Sequence, residues 1–185
     1  MQTTIEVSAR HIHLTAEDFE KLFGKSEMSI RNNLSQKGEF ASNETLEVVG
    51  PKSRIVKVRV LGPFREKSQL EISRTDSVSL GIDAPYLESG DGNGARIRII
   101  GSKGEIIDNI AIVAMRHIHL SPLNAQKAGV SDGDFVSVKI SGERQTTLGK
   151  IIVRIEDNFL NHVHLDTDDA NACGIVSGFQ TEIIK

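Results

Sequence analysis

Apolar and polar positions alternate along this chain in short runs of period two, the pattern of strands with one buried face. Residues 3–8, 45–49, 54–61, 68–73, 77–80, 96–100, 110–113, 134–140, 149–155 and 180–184 read this way. In Arg54–Leu61, Ile55, Lys57 and Arg59 alternate with Val56, Val58 and Val60. Gly50-Pro51, Gly62-Pro63, Gly81 and Lys103-Gly104 break the runs. The glycine-rich stretch Ser89–Gly94 has neither the phosphate-loop nor the dinucleotide spacing, and predicts a hairpin turn ahead of the strand at 96–100. Residues 25–43 carry no period and read as irregular, with a loop at 34–38. Helical signals are confined to three short stretches. The clearest is 16–23, with Phe19, Leu22 and Phe23 on one side. Many short strands and few helices predict a mainly β protein of two small β-barrel domains capped by short α-helices, not a βαβ fold.

One composite unit recurs within this pattern. An apolar strand ends in a histidine pair, and the pair runs into a helix start. His11-Ile-His13-Leu precedes Thr15, which heads a T-x-x-D pattern with Asp18. His117-Ile-His119-Leu precedes Ser121-Pro122, and His162-Val-His164-Leu precedes Asp166, with Asp169 three residues on. Each short helix then meets a glycine, at Gly24, Gly129 or Gly174. These pairs account for all six histidines.

The spacing has chemical content. Residues i and i+2 of a strand share a face, so two imidazoles stand side by side and can share a cation. Imidazole suits zinc, copper, iron and nickel. Three copies that use every histidine point to metal binding. A pair needs a third ligand, and the acidic residues on strands are Glu6, Glu47 and Glu71. By spacing alone, Glu71 is a solvated glutamate on a strand's polar face and Arg65 a surface charge. His11-x-His13-x-x-x-Glu17 also matches the first cupin motif, but the cap at Thr15 places Glu17 on a helix. The amidohydrolases open their metal site with H-x-H as well, on a (β/α)₈ barrel for which this chain has too few helices. Cys173, in an alanine-rich helix, reads as a packing residue.

Composition narrows the class. With a net charge of −3, 4% aromatic residues and no tryptophan, the chain has neither the field nor the stacking surface for nucleic acid. No apolar run is long enough for a membrane helix, and the first residues are not a basic and apolar leader. A single cysteine rules out an intrachain disulfide and fits a reducing cytosol.

Several stretches together resemble one family. They are Val7-Ser-Ala-Arg-His-Ile-His-Leu14, Val49-Gly-Pro-Lys52, Val60-Leu-Gly-Pro-Phe-Arg65, Ser68-Gln-Leu-Glu-Ile-Ser-Arg-Thr-Asp76, Leu80-Gly-Ile-Asp-Ala-Pro85, Arg116-His-Ile-His-Leu-Ser-Pro122 and His164-Leu-Asp-Thr-Asp-Asp-Ala-Asn171. In this order they resemble the PduL-type phosphate acyltransferases along nearly the whole chain. The resemblance implies two barrels, residues 1–9 with 115–185 forming one and residues 10–114 the other, with the active site at their interface. It implies reversible exchange of short-chain acyl-CoA and phosphate for acyl phosphate and CoA, on two metal ions, usually zinc. By motif, His11, His13 and Glu71 hold one ion and His117, His119 and His164 the other. Arg65 positions phosphate, while Arg10 and Arg116 are candidates for contacts behind the ligands or with an anion. Two positions depart from the family pattern: Leu87 stands where relatives usually carry arginine, and His162 where they commonly carry an acid; His162 reads as either an extra ligand or a surface residue, with the surface favoured. The same zinc pair with water as nucleophile would make a thioesterase, and loss of the arginine at 87 a non-catalytic CoA- or metal-binding relative. A homodimer is expected by resemblance only. Some relatives carry an amphipathic N-terminal extension that takes them into a bacterial microcompartment. This chain starts at its first strand, so a cytoplasmic enzyme without microcompartment association is expected.

Overall fold

The computed structural model describes residues 1–184. Strand β1 (Gln2–Ser8) leads to β2 (His11–His13) and helix α1 (Ala16–Phe23). There follow β3 (Ile30–Asn33), β4 (Phe40–Val49), β5 (Arg54–Gly62), β6 (Gln69–Glu71), α2 (Arg74–Leu80), β7 (Tyr86–Leu87), β8 (Ala95–Ile100) and β9 (Glu105–Ala114). The last third holds β10 (His117–Leu120), α3 (Pro122–Ala128), β11 (Phe135–Ile140), β12 (Thr146–Ile155), β13 (His162–Asp166), α4 (Thr167–Cys173) and β14 (Gln180–Ile184). Among these residues no helix is long and apolar enough to cross a membrane.

The chain divides into two compact units, residues 1–9 with 115 onward, and residues 10–114. The first is a closed barrel in the order β1-β13-β10-β12-β11-β14, with β14 returning to β1. Its core gathers the inward positions of all six strands, among them Ile5, Ile118, Val138, Val153, Val163 and Ile183. The second unit also closes on itself, through β4-β5-β2-β6-β9-β8 and back to β4. Strands β3 and β7 extend it from β4 and β9. Ile12, Leu14, Phe19, Val60, Leu70 and Ile99 lie at the centre of its core. The protein is thus mainly β, with two six-stranded barrels and four short helices.

Four departures from the sequence pattern have local causes. Residues 77–80 are the end of α2, not a strand. Ser73 Oγ accepts from Asp76 N and Asp76 Oδ2 accepts from Ser73 N, a reciprocal capping box that starts a helix at Arg74. Residues 30–33 are a strand although mostly polar, because β3 is an exposed edge strand paired only with β4, and residues 40–43 open β4, held between β3 and β5. The loop at 89–94 does not turn a hairpin, since β7 and β8 do not pair with each other and both pair with β9. In β5 the alternation breaks at Lys57, which has a left-handed φ of 59° beside a register shift. Val56 is consequently turned out to solvent while Val58 and Val60 stay buried.

Candidate functional site

The histidine pairs do not end the apolar strands that precede them, as the sequence suggested: His11–His13 is the whole of β2, and His117 and His162 open β10 and β13, while β1 and β9, which precede the first two pairs, belong to the other unit. Each pair is followed by an apolar residue and a helix N-cap. The caps are Thr15, Ser121 and Asp166, whose side chains accept from the backbone N–H three residues on. The structure reveals a fourth unit of the same construction: Gln69-Leu-Glu71, apolar Ile72, N-cap Ser73, helix α2, and a left-handed Gly81. Spacing alone hides it, because Glu71 then reads as a solvated residue on a strand's polar face, and only the family motif places it among the ligands. Instead Gln69, Leu70 and Glu71 are all buried. The Ser73-x-x-Asp76 capping box and Gly81 were the signals that marked it.

The four units pair two by two. In the residue 10–114 unit, β2 and β6 run antiparallel with His11 opposite Glu71 and His13 opposite Gln69. In the other unit, β10 and β13 run antiparallel with His117 opposite His164 and His119 opposite His162. The two registers are identical, so Glu71 and His164 hold the same place, as do Gln69 and His162. Each unit therefore brings three donors together. The ligand atoms of His11, His13 and Glu71 lie within 4.8 Å of one another, and so do those of His117, His119 and His164.

The electrostatics suit a cation. Burial, then His11 and then Arg65, push the pKa of His13 down to about 2. Burial, then His117 and Arg154, push that of His119 down to about 3. His164 is held well below the usual imidazole value by burial first and by His117 and His119 next. These rings stay uncharged at neutral pH, with lone pairs to offer. His117 Nδ1 lies 3.0 Å from the Met115 carbonyl, which can only accept, so Nδ1 carries the proton and Nε2 the lone pair. Among the described residues, His13 Nδ1 is the buried side-chain polar atom without a hydrogen-bond partner. Leaving a buried acceptor unmatched is costly, and a metal ion would relieve it. Three protein donors with a fourth position open is the arrangement of catalytic zinc.

The remaining candidates fall around these triads. Arg65 donates from Nη2 to Glu39 Oε1 (3.2 Å) and from Nη1 to Ser89 Oγ (3.1 Å). Ser89 in turn donates to Glu71 Oε1 at 2.5 Å. Arg65 is thus one hydroxyl away from a triad carboxylate. Arg10 and Arg116 are equivalent to each other. Arg10 Nε donates to Asp76 Oδ2 (2.8 Å), and Arg116 grips both oxygens of Asp169 (2.6 and 2.5 Å); both aspartates lie at the third position of a helix. Glu6 lies beside His162 Nδ1 (3.3 Å) and His164 Nδ1 (3.8 Å), behind the second triad. His162 belongs to neither triad; its side chain is 22% exposed and lies against Glu6. Glu47 pairs with Arg54 at the surface and Glu17 lies in α1, so neither belongs to a triad. Leu87 is half-buried in β7 and packs toward Gly92. Cys173 is buried in the core of its unit. Phe159, unremarked in the sequence, stacks on the His119 ring at 3.9 Å between centroids and 16° between planes.

Comparison with known proteins agrees along almost the full chain. A family model described as phosphate propanoyltransferase matches residues 4–176. The phosphate propanoyltransferase of Lachnoclostridium phytofermentans is 46% identical over 177 residues, covering 94% of this chain and 83% of that protein. That of Priestia megaterium is 47% identical over 182 residues, covering 97% and 83%. That of Clostridioides difficile is 42% identical over 184 residues, covering 98% and 88%.

Proposed function

The chain belongs to the phosphate propanoyltransferase family and is an acyltransferase, and from that premise we propose that it exchanges phosphate for CoA on a short acyl group with the help of two metal ions, one held in each unit. His11, His13 and Glu71 hold one ion, and His117, His119 and His164 hold the other. Zinc is the metal that best fits one nitrogen–oxygen and one all-nitrogen triad with an open position. The observation that carries this reading is the identical register of the two strand pairs, which sets three donors together in each unit.

In the reaction a phosphate oxygen attacks the thioester carbonyl carbon. The new C–O bond forms, the C–S bond breaks, and CoA leaves as its thiolate. Arg65 is the residue we assign to phosphate. Two of its five N–H donors are used by Glu39 and Ser89, which fix the plane of the guanidinium and leave the rest to face a doubly charged oxyanion. Glu71, Ser89 and Arg65 form a continuous hydrogen-bonded line, so the nucleophile's anchor and one triad are held to each other. Bound zinc supplies Lewis acidity and a soft partner for the CoA sulfur. Direct attack without an acyl-enzyme is supported by the single cysteine being buried, with its thiol pKa pushed up by burial.

The test is CoA release from acetyl-CoA and propanoyl-CoA with and without phosphate, on zinc-loaded and on chelated protein. Release that needs both phosphate and metal is the expected outcome. Metal-dependent release indifferent to phosphate would replace the transferase with a thioesterase. Trapping an acylated residue in a single turnover would end the direct-attack mechanism.

A further inference from the structure

Gln69 is buried, yet it belongs to neither triad. It stands opposite His13 in the strand register, the place taken by His162 opposite His119 in the other unit. An apolar side chain would fill the same space without two polar ends to satisfy. Both ends of the amide are satisfied, and by one loop. Oε1 accepts from Gly90 N at 2.7 Å, and Nε2 donates to the Asp91 carbonyl at 3.1 Å.

That loop carries Ser89. The Ser89 hydroxyl has one proton, which goes to Glu71, and its oxygen accepts from Arg65. The backbone next to it needs glycine: Gly90 and Gly92 have φ values of 96° and 73°. A Cβ on Gly92 would sit 2.8 Å from Leu87 Cδ1, and one on Gly94 would sit 2.5 Å from the Ala111 carbonyl oxygen. The loop thus packs closely at its far end, while Gln69 holds the backbone immediately after Ser89.

We propose that Gln69 is a positioning residue for phosphate, clamping the glycine-rich loop so that Ser89 ties Arg65 to Glu71. This rests on the assignment of Arg65 to phosphate made above. The clamp itself is a statement about two backbone groups and can be judged without the reaction.

The experiment compares the zinc-loaded wild type with Gln69→Leu, Ser89→Ala and the double variant. The KM for phosphate and for propanoyl-CoA is measured separately, and amide hydrogen exchange at Gly90 is followed by NMR. Gln69→Leu is expected to raise the phosphate KM on the order of ten-fold, leave the acyl-CoA KM within about two-fold, and speed exchange at Gly90. The double variant is expected to be hardly worse than either single one, because both act through the same link. Gln69→Glu keeps the acceptor for Gly90 N–H and loses the donor to Asp91, so an intermediate effect is expected; it also serves if Gln69→Leu does not fold. Unchanged exchange at Gly90 overturns the clamp. Accelerated exchange with an unchanged phosphate KM, equal rises in both KM values, or additive effects of the two substitutions overturn its role in phosphate positioning. A wild type with no phosphate-dependent release refutes the transferase reading instead, and the exchange result still decides the clamp.

Discussion

His11 and Glu71 face each other across an antiparallel strand pair, with Nε2 of one 3.6 Å from Oε2 of the other. His117 and His164 face each other in the same register of the other unit. One backbone plan therefore presents a carboxylate in one triad and an imidazole in the other. Glu71→His should then retain metal, because the position already accepts imidazole in the sister unit. Glu71→Ala should weaken the first ion's affinity by about 10- to 100-fold or more. Metal analysis after dialysis is the check: one ion per chain for the alanine variant and two for the histidine variant.

Metal removal should silence the enzyme without unfolding it. Each barrel has its own apolar core, including Ile5, Ile118 and Val163 in one and Ile12, Phe19 and Leu70 in the other, all fully buried. Each such side chain is worth about 1.5–3 kcal/mol. Chelated protein should keep its far-ultraviolet circular dichroism and regain CoA release on adding zinc. Collapse of the spectrum on chelation would make the ions structural.

Phe159 should tune the second triad alone. A metal-bound imidazole is electron-poor, and the face of a phenyl ring is electron-rich, so the observed stack favours the loaded state. Phe159→Leu keeps an apolar side chain and removes the π face. The expected loss is about 0.5–1.5 kcal/mol, or roughly two- to ten-fold in metal affinity. Competition against a chromophoric chelator should show it for the second ion and not for the first.

Glu44 should make stability depend on pH well away from either triad. Burial alone favours its neutral form, but hydrogen bonds from Lys25, Ser42 and the Ser29 N–H outweigh burial and bring the pKa from 4.5 to about 2. A depressed folded pKa means that the unfolded chain binds more protons between these values. The contribution is therefore complete above about pH 4.5 and lost as pH falls toward 2. Urea unfolding of wild type and Glu44→Gln should show a gap at pH 7 that narrows below pH 4.5 and closes only as the pH approaches 2. A gap independent of pH would contradict this account.

Three of the four strand–cap–helix units were legible because histidine marked them and a cap followed at fixed distance. The fourth hid behind Gln69 and Glu71, which alternate with Leu70 and Ile72 just as a half-exposed strand would. Alternation tells which residues share a face, not whether the other face is wet; here both faces of β6 are covered. The helix at 74–80 was illegible to periodicity because its apolar residues are only Val78 and Leu80, and its start rests on two side-chain hydrogen bonds. In β5, no residue pattern announces that Lys57 takes a left-handed conformation. The same holds for Lys150 in β12, with a φ of 53°. Each stands two residues before the strand partner of a first histidine, Arg59 opposite His11 and Ile152 opposite His117. The Arg65–Ser89–Glu71 line joins residues up to 24 positions apart and follows from tertiary packing alone.

The closure of the first barrel bears on the order in which the chain can be completed during synthesis. Strand β1 leaves the ribosome long before its neighbours, which are β13 and β14. Thr3 waits for Asn161, 158 residues later, before its hydroxyl finds its acceptor. Every strand partner of residues 10–114 lies within that segment. Its six-stranded ring can close while the last third is still being translated, whereas the other barrel must keep an unpaired apolar strand until the end. Strand β1 is made before every other strand of its barrel and is among the last of them to be paired.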